Sequence, residues 1–128
     1  MKLLLDTCAF FWLAGEPDRL FKTAADAIDD QTNDLFISDA TLWEIGLKHL
    51  AGKLPLPESP RGWSAKQTEF FGLHPLPIDA DSIFRSVELP TEHRDPFDRL
   101  LAAQAIGGSF RFITIDSVFA DLGVDCLW

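Results

Sequence analysis

Short apolar runs alternate along this chain with longer segments of helical period, and that order leaves few architectures open. Residues 2–5, Lys-Leu-Leu-Leu, read as a buried strand closed by Asp6. Phe10, Phe11 and Leu13, then Leu20, Ala24, Ala27 and Ile28, carry helical spacing that is broken at Gly15, Glu16 and Pro17. Residues 35–38 form a second strand, followed by a helix through Leu42, Ile45, Leu47 and Leu50 that Gly52 ends. Pro55, Pro57 and Pro60 make residues 54–61 a loop, before a helix containing Trp63, Phe70 and Phe71. A third, shorter strand is expected at 76–78 and a helix at 79–89, up to Pro90. Another helix begins near Pro96 and stops at Gly107 and Gly108; 110–115 is the most strand-like segment, and 124–127 a final edge strand.

Strands this short, joined by helices, imply crossover connections and a parallel sheet covered on both faces. The expected fold is therefore α/β, a three-layer α/β/α sandwich around a short, mostly parallel sheet. With 128 residues, 47% of them hydrophobic and no linker or repeat, residues 1–128 read as one domain with a real core. In such sheets, sites form where strands run out at their carboxyl ends.

Those exits are where the acids collect. Asp6 follows the first strand, Asp39 and Glu44 the second, Asp95 and Asp98 open the late helix, and Asp116 ends the fourth strand. Singly, each has a structural explanation. Asp6, Asp39 and Asp116 suit N-caps, Thr41-Leu-Trp-Glu44 fits a capping box, and Asp95 precedes Pro96 at a favoured first helical position. Jointly they suggest more. Glu44 lies among Leu42, Trp43 and Ile45, and Asp98 precedes a small-residue helix, Leu-Leu-Ala-Ala-Gln-Ala, able to pack closely on a sheet. Carboxylates converging at low dielectric repel one another unless a cation compensates. Mg²⁺ or Mn²⁺ suits such oxygen donors and can activate a water against a phosphodiester. His49, His74 and His93 match no zinc spacing and read as surface or packing residues.

The chain carries 20 Asp and Glu against 11 Lys and Arg, a net charge of −9, which excludes grip on nucleic acid by bulk charge. The balance reverses locally between 47 and 66, where Lys48, Lys53, Arg61 and Lys66 face only Glu58. This stretch is either a solvated face or a phosphate-contacting rim. Arg94 and Arg99 flank the acids and are candidates to pair with them. Nothing before Cys8 resembles a secretory leader or a membrane span, so a cytoplasmic protein with Cys8 and Cys126 as reduced thiols is expected.

The opening Leu3-Leu-Leu-Asp6-Thr7, the segment Ser38-Asp-Ala-Thr-Leu-Trp-Glu44-Ile-Gly-Leu-Lys48, the segment His93-Arg-Asp-Pro-Phe-Asp98-Arg and the terminal Ile113-Thr-Ile-Asp116 together resemble a PIN domain of the VapC toxin type. The resemblance implies an endoribonuclease, the toxin of a type II toxin–antitoxin pair, whose metal-binding quartet falls on Asp6, Glu44, Asp98 and Asp116 and holds Mg²⁺ or Mn²⁺. It implies that Asp95 is a fifth acid, either supporting the metal ligands or capping a helix, and that Thr7 and Thr114 orient ligands or water. It also implies RNA as substrate, a cognate antitoxin and a homodimer, with Phe10, Phe11, Trp12, Trp43, Trp63, Phe70 and Phe71 shared between core and interface. Two other readings remain open: a Mg²⁺-binding phospho-acceptor signalling domain, which wants a late lysine although none follows Lys66, and a PIN-like module that binds without catalysis.

Overall fold

The computed structural model describes residues 1–128. Five strands, β1 (Lys2–Leu5), β2 (Asp34–Ser38), β3 (His74–Leu76), β4 (Arg111–Ile113) and β5 (Cys126–Leu127), form one sheet in the order β3-β2-β1-β4-β5. Every pairing is parallel. The helices are α1 (Thr7–Gly15), α2 (Lys22–Asp29), α3 (Asp39–Leu50), α4 (Pro60–Phe70), α5 (Ala80–Glu88), α6 (Pro96–Gly107) and α7 (Val118–Asp121), with a 3₁₀ turn at Pro17–Arg19. No helix is long and apolar enough to cross a membrane.

The pleat of the strands divides the core into two. Leu3 and Leu5 of β1, Leu35 and Ile37 of β2 and Ile113 of β4 pack with Ala9, Phe10 and Leu13 of α1, Ala24 and Ile28 of α2, and Trp63 of α4. Leu4 and Phe112 point the other way, against Leu100, Leu101, Ala102 and Ala105 of α6 and Phe119 of α7. This is the three-layer sandwich expected. Alanines at 102, 103 and 105 are fully covered, which lets α6 lie close to the sheet.

Several details differ from expectation. The third strand is His74–Leu76 rather than 76–78, because it pairs Phe36 with His74 and Ser38 with Leu76, and Pro75 is tolerated at a sheet edge. Gly72, at φ 63°, makes the left-handed turn that leads into it. The fourth strand stops at Ile113, and the fifth covers only Cys126–Leu127. Helix α7, a single turn, adds to the expected elements. Of the aromatics, Phe10 and Trp63 are core while Trp43 and Phe70 are exposed. Cys8 and Cys126 are free.

Candidate functional site

The chain runs from β1 to β2 to β3 on one side of β1, then returns through α5 and α6 to β4 on the other side. The strand order therefore reverses between β1 and β4, and a crevice opens outside their carboxyl ends. Asp6 follows β1 directly, its backbone N–H bonded to Ile113 O at 3.1 Å, so it stands at the reversal.

Asp6 is only 6% exposed. Its Oδ1 accepts from Ala9 N at 2.6 Å, capping α1, and its Oδ2 accepts from Thr114 Oγ1 at 2.6 Å. Burial pushes its pKa up from 3.8 to about 6 against the two hydrogen bonds, and the nearby charges of Asp98 and Asp116 push in the same direction as burial. Glu44, also buried, takes a bond from Thr7 Oγ1 at 2.6 Å on Oε1 and an ion pair from Lys48 Nζ at 3.0 Å on Oε2. Asp98 lies in the first turn of α6, where burial raises its pKa. Asp116 Oδ1 accepts from Val118 N at 3.0 Å across a local turn; it is not the N-cap expected of it, because α7 starts one residue later and Ser117 holds the cap position.

All four acids line one cavity of about 560 Å³, together with Thr7, Lys48 and Lys53. Thr7 and Thr114, expected to orient ligands or water, each donate to a carboxylate of this set. Asp95 does not join the four: it caps α6, accepting from Phe97 N at 2.9 Å and Asp98 N at 3.4 Å, and lies in an adjoining recess of about 300 Å³. The capping box at Thr41 is not formed. Ser38 caps α3 through Ala40 N at 3.0 Å, so Asp39, expected as a cap, and Thr41 both lie inside the first turn, and Glu44 lines the cavity. Ser38 Oγ also donates to Gln104 Oε1, tying the helix that carries Glu44 to the one that carries Asp98.

The basic stretch splits in two. Lys48 and Lys53 reach the acidic cavity. Arg61 and Lys66 do not, because α4 carries them away: Arg61 lines a separate cavity of about 780 Å³, and Lys66 pairs with Glu58 at 2.9 Å. That cavity is larger but gathers no cluster of acids; the four acids line the smaller one. His93 departs from the surface or packing role expected of it, since its Nε2 lies 2.9 Å from Asp98 Oδ2. Arg99 pairs with no acid and donates to backbone carbonyls instead. No three His, Cys, Asp or Glu side chains stand in a finished metal-ligating cluster. The donor set is nevertheless hard and anionic, and Asp98 Oδ1 and Asp116 Oδ2 have no protein hydrogen bond.

Comparison with known proteins identifies the fold. The family model for the PIN domain matches residues 3–125. A relative named Ribonuclease VapC16, from Mycobacterium tuberculosis, is 33% identical over 70 residues, a match covering 49% of this chain and 50% of the relative. The chain thus spans about half the length of the curated relative it matches. Among solved structures, VapBC2 from Rickettsia felis bound to a promoter DNA fragment superposes with a TM-score of 0.71 at 20% identity, covering 99% of this chain and 98% of that one. DNA-bound VapBC from Salmonella typhimurium gives 0.70 at 17%, covering 99% and 97%. VapBC-5 of Mycobacterium tuberculosis, a member of the VapBC family of toxin–antitoxin systems, gives 0.61 at 21%, covering 98% and 95%. With the family model spanning nearly the whole sequence and the acids set at the reversal of strand order, this chain belongs to the PIN domain family.

Proposed function

We propose that this protein is the toxin of a VapC-type toxin–antitoxin pair, an endoribonuclease that uses Mg²⁺ or Mn²⁺. The observation that carries this reading is the convergence of Asp6, Glu44, Asp98 and Asp116 on one cavity that two lysines also reach. The four carboxylates would hold the ion, which when bound supplies an acidified water and a countercharge for the leaving oxygen. Thr114 and Thr7 fix the rotamers of Asp6 and Glu44, so that neither carboxylate has to be ordered when the ion arrives. Lys48 pairs with Glu44 and offsets part of the negative charge of the set.

Lys53 lines the same cavity, is exposed and has no ion-pair partner, so it can meet a phosphate of an incoming strand. Replacing Lys53 with Ala should weaken RNA binding across all sequences and reduce the slope of log K against log salt by about 0.7. Filter-binding titrations at several salt concentrations measure this; an unchanged slope would remove Lys53 from the interface.

Support for the antitoxin comes from the solved structures this fold resembles, which are VapBC complexes. The exposed Ile83, Phe84 and Val87 on α5 offer surface to a second copy of the chain, consistent with a homodimer. The test is direct. Purified protein should cut single-stranded RNA in Mn²⁺ or Mg²⁺ and stop when EDTA is added, and sequencing the RNA ends would locate the cut. RNA left intact under every metal condition, or cleavage indifferent to EDTA, would overturn the assignment.

A further inference from the structure

Arg99 makes an unusual set of contacts. Nε donates to Ser86 O at 2.8 Å, Nη2 to Leu89 O at 2.9 Å, and Nη1 to both Thr91 O at 2.9 Å and His93 O at 2.8 Å. All three guanidinium nitrogens are used, and all four acceptors are backbone carbonyls between residues 86 and 93. The end of α5 and the irregular segment after it therefore hang on one side chain of α6. Two local bonds tighten the segment: Thr91 N donates to Leu89 O at 2.8 Å, and His93 N to Thr91 Oγ1 at 3.1 Å.

The segment ends on the imidazole that meets Asp98. Neighbouring residues on a helix point about 100° apart, so α6 presents Asp98 to the acidic cavity and Arg99 to the loop. An ionised carboxylate can only accept, so His93 Nε2 carries the hydrogen and donates to Asp98 Oδ2 at 2.9 Å. Asp98 Oδ1 is left open. Without that donor the carboxylate would be turned by its own torsion and by repulsion from nearby like charges, Asp95 and Glu44 among them.

We propose that His93 is a positioning residue that selects which oxygen of Asp98 faces the cavity, and that Arg99 acts through the 86–93 segment to hold His93 there. The proposal rests on the reading that Asp98 is a ligand for a divalent ion. It predicts a difference between conservative and truncating changes. Gln at 93 can place an amide N–H near the imidazole Nε2 position, whereas Ala cannot. Lys at 99 keeps the charge but lacks the planar fork that serves four carbonyls.

The experiment measures Mn²⁺ affinity by calorimetry, and kcat and KM on a single-stranded RNA, for wild type, His93→Ala, His93→Gln, Arg99→Lys and Arg99→Ala, with circular dichroism confirming the fold. His93→Ala should bind Mn²⁺ about 10- to 100-fold more weakly, with kcat falling to match and KM for RNA within about twofold of wild type. His93→Gln should recover most of the affinity, and Arg99→Lys should resemble Arg99→Ala. If wild type binds and cleaves but His93→Ala equals it in Mn²⁺ affinity, the positioning role is wrong while the nuclease assignment stands. The positioning role is equally wrong if His93→Gln binds Mn²⁺ no better than His93→Ala. If wild type itself neither binds Mn²⁺ nor cleaves RNA, the functional assignment fails and takes this role with it.

Discussion

Replacing Asp6 with Asn should reduce RNA cleavage by about 10²–10³-fold or more while leaving the metal-free fold as stable as wild type at neutral pH, or more so. The loss follows from placement: Asp6 is the acid closest to the strand reversal and is held on both oxygens, by Ala9 N and Thr114 Oγ1. The gain follows from charge. Burial raises its pKa from 3.8 to about 6, so the folded state disfavours the ionised form. At about 1.4 kcal/mol per tenfold change, ionisation in the folded state costs up to about 3 kcal/mol above pH 6. Below pH 3.8 the group is protonated in both states and the cost is absent; it appears as pH rises from 3.8 through 6. Asn keeps the helix cap and carries no charge. Urea unfolding in EDTA should show the variant gaining on wild type at pH 7.5 and the gap closing at pH 4. A variant that unfolds at lower urea than wild type at pH 7.5 would contradict the charge effect, and one that still cuts RNA at the wild-type rate would remove Asp6 from the chemistry.

Some parts of the fold and of the acidic cavity are announced by the sequence and others are not. An uninterrupted apolar run followed by an acid can hardly be anything but a central parallel strand with a residue at its exit, so β1 and Asp6 were legible. The small-residue helix after Asp98 was legible for the same kind of reason, since its alanines have no use except close packing. What escaped is nonlocal. The pairing of His93 with Asp98 depends on a loop folded by Arg99, and no periodicity encodes which carbonyls a guanidinium will reach. Arg61 and Lys66 share a basic stretch with Lys48 and Lys53, but charge along a chain becomes a surface only after the helices are placed, and α4 turns away. At the start of α3 the sequence offers Asp39 and Thr41 as caps, but β2 ends at Ser38 and the helix begins directly after it, so Ser38 takes the cap. The third strand slid by two residues because only Leu76 carries an apolar signal, while His74 and Pro75 are accepted at an edge.

Divalent metal should stabilise the folded protein strongly at neutral pH and weakly in acid. In the metal-free state the crowded carboxylates oppose folding once ionised, since burial raises the pKa of Asp6 and of Asp98 and neighbouring acids add to both. A bound cation reverses this, because it prefers the ionised ligands and binds the folded state alone. At a free metal concentration of about 100 times Kd, the gain is about 2.7 kcal/mol, which for a chain of this size corresponds to a rise in Tm of about 10 °C. Near pH 5, protons compete for Asp6, whose pKa is about 6, so the same Mn²⁺ concentration should give a clearly smaller rise. Differential scanning fluorimetry of wild type and Asp98→Asn, with Mn²⁺ or EDTA at pH 5 and pH 7.5, would separate the possibilities. An equal rise at both pH values would mean that the ion binds outside the buried carboxylates, and a rise retained in Asp98→Asn would place it away from α6.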